Sequence, residues 1–127
     1  MASMIEFVLN GDPTAAKNVV LSATAAQGFA AAPRDDWNFE LTRGSNGLSI
    51  AFGALAGKSF FLRFDLGFST DADQHLVARL SRDTASSALR GGAIGANRAF
   101  NEFQTLADAI GTAVTQAGVF VANRTLA

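Results

Sequence analysis

The chain has 127 residues, of which 49% are apolar and 17% charged, and its formal net charge is −1. That size suits one domain with one substantial core, and so apolar a composition excludes a disordered chain. The balance of ten basic against eleven acidic residues leaves no global field to draw in nucleic acid or an anionic membrane.

The absence of Cys rules out disulfides, thiol nucleophiles and thiolate metal sites. The N-terminus lacks the basic-then-apolar pattern of a secretory leader, and no run approaches the roughly 18 apolar residues of a membrane span. A cytoplasmic location is therefore expected, where the Asn123-Arg124-Thr125 sequon has no role. Eleven Phe, one Trp and no Tyr predict a dry core, because Phe supplies bulk without a polar tip.

In chain order, Ile5, Phe7 and Leu9 alternate with Glu6 and Val8 and predict a short strand with one buried face. Asp12 is an N-cap candidate and Pro13 fits the first helical position. The helix is expected to run to about Gln27, with Ala16, Val19, Val20, Ala23 and Ala26 inward and Gly28 as its left-handed stop. The segment 29–32 reads as extended or irregular, punctuated by Pro33-Arg34-Asp35-Asp36.

Trp37, Phe39 and Leu41 then alternate with polar residues as a strand. Gly44-Ser45-Asn46-Gly47 reads as a hairpin loop, with Leu48, Ile50 and Phe52 returning against Leu41 and Phe39. The longest alternation is Phe60, Leu62, Phe64, Leu66 and Phe68, whose ten residues from Ser59 span roughly 33 Å. After a turn over 69–73, Leu76, Ala78 and Leu80 are expected to return against Leu66, Phe64 and Leu62. A one-residue slip would bury Arg63 and Arg79.

The last element, Gly91–Ala117, carries Ala96, Phe100, Phe103, Ala107, Ile110, Val114 and Ala117 on one side, widened by Ala99, Leu106 and Ala113. This is the 3.6-residue period of a helix, roughly 40 Å long and matched in length by the strand through Phe64. Gly118 is expected to end it, and residues 123–127 to form a frayed tail.

Strand, helix, four antiparallel strands and a long helix make a two-layer α+β domain of order β-α-β-β-β-β-α, with both helices on one face of the sheet. That order, the Gly11-Asp12-Pro13 start of the first helix and the long closing helix resemble a reduced member of the helix-grip superfamily of START and polyketide-cyclase-like proteins. The TATA-binding-protein-like half-domain shares the order. The helix-grip resemblance implies a ligand held between sheet and C-terminal helix. The chain lacks the additional strands that widen the cavity in ligand-binding members.

Four places carry candidate chemistry. On the inner face, Trp37, Phe39, Phe52, Phe64, Phe100 and Phe103 either line a cavity for a small apolar ligand or fill the space themselves. On the outer face, Phe61, Arg63, Asp65, Val77 and Arg79 form a candidate contact surface, suited to a homo-oligomer; Arg63 and Arg79 are expected to lie opposite each other there. Asp71, Asp73 and His75, the sole histidine, have the spacing of a cation site or a His–Asp base, but Asp is a usual turn former and the favoured reading is a polar turn between two strands. Gly91-Gly92-x-x-Gly95 with Arg90 and Arg98 has the features of a weak anion site at a helix start.

No Ser/His/Asp constellation can be assembled, and no cofactor is implied. The expected function is a non-catalytic binding module, with self-association through the outer sheet face or an exposed edge strand as the rival.

Overall fold

The computed structural model describes residues 4–44, 62–82 and 92–126. Its elements are β1 (Met4–Leu9), α1 (Pro13–Ala26), β2 (Ala30–Pro33), β3 (Asn38–Arg43), β4 (Leu62–Thr70), β5 (Leu76–Arg82), α2 (Gly92–Gln116) and β6 (Phe120–Leu126). The strands form one antiparallel sheet in the order β2-β3-β4-β5-β1-β6. The helices pack on each other and on one face of the sheet, as the α+β reading requires.

Both helices begin or end as their local chemistry dictates. The Asp12 carboxylate accepts the Ala15 amide at 3.0 Å, with Pro13 at the first helical position. At the other end of α1, the Phe29 amide donates to Thr24 O and the Gly28 amide to Ala25 O, with Gly28 at φ 87°. The end of α2 repeats this pattern: Val119 donates to Val114 O and Gly118 to Thr115 O, with Gly118 at φ 76°. These are paired six-to-one and five-to-two bonds that satisfy the last carbonyls of each helix.

The core lies between the helices and the inner sheet face. It contains Ile5, Phe7, Leu9, Leu41, Leu62, Phe64, Leu66, Phe68, Leu76, Ala78 and Leu80 from the strands. Ala16, Val20 and Ala23 of α1, and Ala99, Phe103, Leu106, Ala107, Ile110 and Val114 of α2, close it from above. Ala26 and Ala117, expected inward, are exposed because each sits where its helix is ending.

The β4–β5 register differs from expectation. Leu80 lies opposite Leu66 rather than Leu62, Ala78 opposite Phe68 and Leu76 opposite Thr70. The slide is even, so every side chain keeps its face; a period of two cannot distinguish such registers. The turn decides. Asp71 Oδ1 accepts the amides of Asp73 (2.9 Å) and His75 (2.8 Å), the Asp71 amide donates to His75 O, and Gln74 takes φ 65°. This tight closure carries both strands up to Thr70 and Leu76. It also separates Arg63 from Arg79: Arg79 faces Gly67, and Arg63 faces Thr42.

Two further differences concern strand placement. Ala30–Pro33 is a strand paired with β3 and lies at the edge of the sheet among the described residues, a position that tolerates proline. Strand β3 lies between β2 and β4; Leu48, Ile50 and Phe52, expected to return as a hairpin, lie outside the described residues. The tail expected to fray, 123–127, belongs through Leu126 to β6, a seven-residue strand. The reversal at Gly118 points the chain back along β1, and the Asn10 amide donates to Val119 O at 2.8 Å to start the pairing. A bulge between Val8 and Leu9 shifts the register there, leaving Val121 as the additional residue.

Candidate functional site

Between the sheet and the long helix, where either a ligand or the rings themselves are expected, several described rings meet. Phe103 of α2 meets Phe64 of β4 edge to face, with centroids 5.5 Å apart and planes at 74°. Phe29 packs on the same Phe64 ring at 5.5 Å, and Phe39 meets Phe68 at 5.9 Å, nearly perpendicular. Aromatic pairs at such separations add attraction beyond the area they bury.

The other inner-face candidates are scattered. Trp37 is 48% exposed and sits outside β3. Asp35 Oδ1 accepts the amides of both Trp37 and Asn38, a turn that swings the indole out of the core. Phe100 is half-buried, with the Arg82 guanidinium 5.1 Å from its centroid. Burial pushes the Arg82 guanidinium below its ordinary value. Phe52 lies outside the described residues.

The outer face is an ion-pair surface. Arg34 donates to Glu40 at 2.7 Å and forms an ion pair with Asp65 at 3.1 Å, while Arg63 approaches Glu40 at 3.5 Å and Asp65 at 3.9 Å. The bond from Arg34 holds the Glu40 carboxyl below its usual range. Glu6 is buried, with Arg79 on one neighbouring strand and Arg124 on the other. Arg79 donates from Nε at 2.9 Å and from a terminal nitrogen at 2.6 Å, both to Oε2. Arg124 donates to Oε1. Bonds from Arg124 and then Arg79 outweigh burial and keep the Glu6 carboxyl low. Arg63, Asp65, Val77 and Arg79 therefore share a face as expected, although Val77 is buried and Phe61 lies outside the described residues. Glu6, Glu40, Arg34 and Arg124 were missed because their part in this surface depends on which strands are neighbours.

The Asp71, Asp73 and His75 cluster is the β4–β5 turn. Its ligand-type atoms lie within 4.8 Å of one another, and His75 Nδ1 is 3.4 Å from Asp71 Oδ2. Backbone bonds from His75 and Asp73 lower the Asp71 carboxyl, so its charge already serves the turn. For the expected anion site, Arg90 and Gly91 lie outside the described residues; Arg98 is half-buried in α2.

A concave site does exist between the sheet and the C-terminal helix, at the far edge of the sheet. The two helices leave β6 uncovered, and a groove of about 700 Å³ runs between α2 and β1–β6. Its floor is Ile5, Phe7, Ala107 and Gly111, and Phe120 forms one flank. Gln104, Asp108, Thr112 and Gln116 of α2 face Asn123 and Thr125 of β6 across it. Gly111 keeps the floor low: a Cβ there would meet the Phe7 ring at 3.7 Å. Sequence periodicity places these α2 residues on the polar side of the helix, and nothing in that pattern shows that a strand lies opposite them.

No family model matches this chain, and no curated protein matches it. Among the described residues, no helix is long and apolar enough to cross a membrane.

Proposed function

We propose that this chain is a non-catalytic binding domain that holds a small molecule with one apolar face and several polar groups in the groove between α2 and β1–β6. One observation carries the reading: an apolar floor of Ile5, Phe7, Ala107 and Gly111 bordered by amide, hydroxyl and carboxylate side chains. The groove's size is within the usual range of small-molecule sites, roughly 300–1,000 Å³, and seven of its twelve lining residues are polar, which suits a ligand that carries several polar groups. The long helix over an antiparallel sheet is also the feature shared with helix-grip proteins, which supports a ligand between those layers. The same order is shared with the TATA-binding-protein-like half-domain. Strand β6, which follows the long helix, is an addition to both and forms one wall of the groove.

The rival reading, self-association through the outer sheet face, draws less from the geometry. Arg34, Glu40, Arg63 and Asp65 pair among themselves, and Arg79 is committed to Glu6. Desolvating such exposed pairs gains little.

Thermal shift against a panel of fatty acids, sterols and aromatic acids tests the groove, because a ligand that binds only the folded chain raises its melting temperature. The expected result is a shift from at least one class that is lost in Gly111→Leu, whose side chain fills the floor. A panel without any shift, or a shift unchanged in Gly111→Leu, overturns the reading.

A further inference from the structure

A second hollow, of about 540 Å³, lies on the face of the sheet turned away from the helices. Strand pairing sets its side chains in two rows. Arg124, Glu6 and Arg79 stand side by side across β6, β1 and β5. Ala122, Val8 and Val77 stand side by side two residues further along the same strands. Both rows share one face because side chains alternate, and two residues of strand separate them by roughly 6.7 Å. Ser69 lies opposite Val77 and ends the second row with a hydroxyl. One row is charged, the other apolar.

Glu6 is the buried centre of the charged row. Arg79 donates to it from Nε and one terminal nitrogen, and Arg124 does the same from the other side. The second terminal nitrogen of each guanidinium has no acceptor among the described residues. Two cations face one anion, so the row keeps a net positive charge. We propose that this hollow binds a small monocarboxylate. Its carboxylate lies between the free edges of Arg79 and Arg124, and its short hydrocarbon body lies over Val8, Val77 and Ala122. The two guanidiniums already flank one carboxylate, so their separation suits a second above it. Charges then alternate around a ring, with attraction between neighbours and repulsion only across the diagonals, where the distance is greater.

Charge sets the ligand class. A monoanion neutralises the row, whereas a dianion would bring surplus negative charge towards Asp71, which also borders the hollow. The planar guanidinium fork matches the edge of a carboxylate, and the apolar row beside it selects a hydrocarbon body over a bare ion. Glu6 holds both arginines in place before the ligand arrives, which lowers the ordering cost of binding. Both arginine side chains are more than half exposed, so salt screens the attraction and the affinity is modest. The site is separate from the groove under α2, on the opposite face of the sheet.

The test follows backbone amide NMR shifts of the full chain at low salt. Isovalerate is expected to shift Val8, Val77 and Ala122 saturably, and acetate, which lacks the hydrocarbon body, to bind at least threefold more weakly. Isoamyl alcohol and isoamylamine, of matching shape without the carboxylate, are expected to shift none of the three. Ala122 is exposed, and Ala122→Glu sets a carboxylate beside Arg124 on the same face, where it competes with the ligand. This variant is expected to keep its circular dichroism spectrum and to bind isovalerate at least tenfold more weakly. Arg124→Lys keeps the charge but loses the fork, and is expected to weaken binding at least threefold. The absence of saturable shifts with isovalerate overturns the inference. So do equal shifts with isoamyl alcohol, or binding that survives both variants unchanged. Shifts centred instead on Asp108, Gly111 and Thr112 would place isovalerate in the groove under α2 and overturn it as well.

Discussion

Glu6 and Arg124 lie 118 residues apart in sequence, yet Arg124 Nε donates to Glu6 Oε1 at 3.0 Å. Arg79 holds the other carboxylate oxygen from the opposite side. One carboxylate thus ties the first strand to a middle strand and to the last. Its side chain is 4% exposed, against 52% for Arg79 and 71% for Arg124. The acid is buried, and both bases keep access to water.

That asymmetry sets the cost of removing the acid. In Glu6→Gln both arginines lose an ionised partner but remain hydrated, so no cation is stranded. The expected loss is about 1–3 kcal/mol, measured by urea denaturation, with β6 losing amide-exchange protection before β4 does. A loss spread evenly over all strands would mean that Glu6 does not tie β6 to the sheet.

The same group gives a signed pH dependence. Its carboxyl in the folded chain lies below the ordinary glutamate value of 4.5, so the folded state binds its proton less readily than the unfolded state. The stabilisation is fully present above that value and is lost as the pH falls through the lower, folded-state value. Unfolding free energy is expected to drop as the solution is acidified below 4.5, and to drop less steeply in Glu6→Gln. A residual slope remains from Asp35, Glu40 and Asp71, whose carboxyls are also lowered.

Phe103→Ala and Phe100→Ala separate a filled core from an open one. Phe103 is fully buried against Phe64, so its truncation is expected to cost about 3–5 kcal/mol. Phe100 is half-buried beneath Arg82 and is expected to cost on the order of 1 kcal/mol. Equal costs in chemical denaturation would contradict this packing.

The helix-ending glycines should differ in a set order. Gly118→Ala forces a side chain into φ 76° with nothing within 4 Å, for a loss of about 1–2 kcal/mol. Gly28→Ala adds a contact with Arg43 Cδ at 3.2 Å. Arg43 cannot easily yield, because it bonds Glu102 at 2.8 Å, donates to Gln27 O and lies over the Phe29 ring. Gly28→Ala is therefore expected to melt lower than Gly118→Ala.

Gly111→Ala runs the other way. Its Cβ meets Phe7 at an ordinary contact distance, and replacing a mid-helix glycine by alanine gains up to about 1 kcal/mol. The variant is expected to be more stable than the parent while weakening any groove ligand. Loss of stability would show that the floor is tighter than 3.7 Å allows.

Much of this protein was legible in residues that act locally. Asp12 and Pro13 start α1, Gly28 and Gly118 end the two helices, and the period of 3.6 from Ala99 to Val114 marks the buried stripe of α2. Alternation in β1, β4 and β5 assigned each side chain its correct face. Capping, left-handed φ and amphipathic spacing are settled within a few residues of chain, so sequence alone determines them.

Tertiary structure decided what depends on neighbours. The β4–β5 register came from the Asp71 turn, because apolar patterning repeats every two residues and tolerates an even slide. Trp37 left the core because Asp35 captures its backbone. The tail expected over 123–127 falls through Leu126 in β6, which pairs with β1, and Arg124 found Glu6 only when β1 lay between β5 and β6. The groove follows from the same event. Its helix wall is polar by sequence, and only the placement of β6 opposite it turns that polar flank into one side of a site.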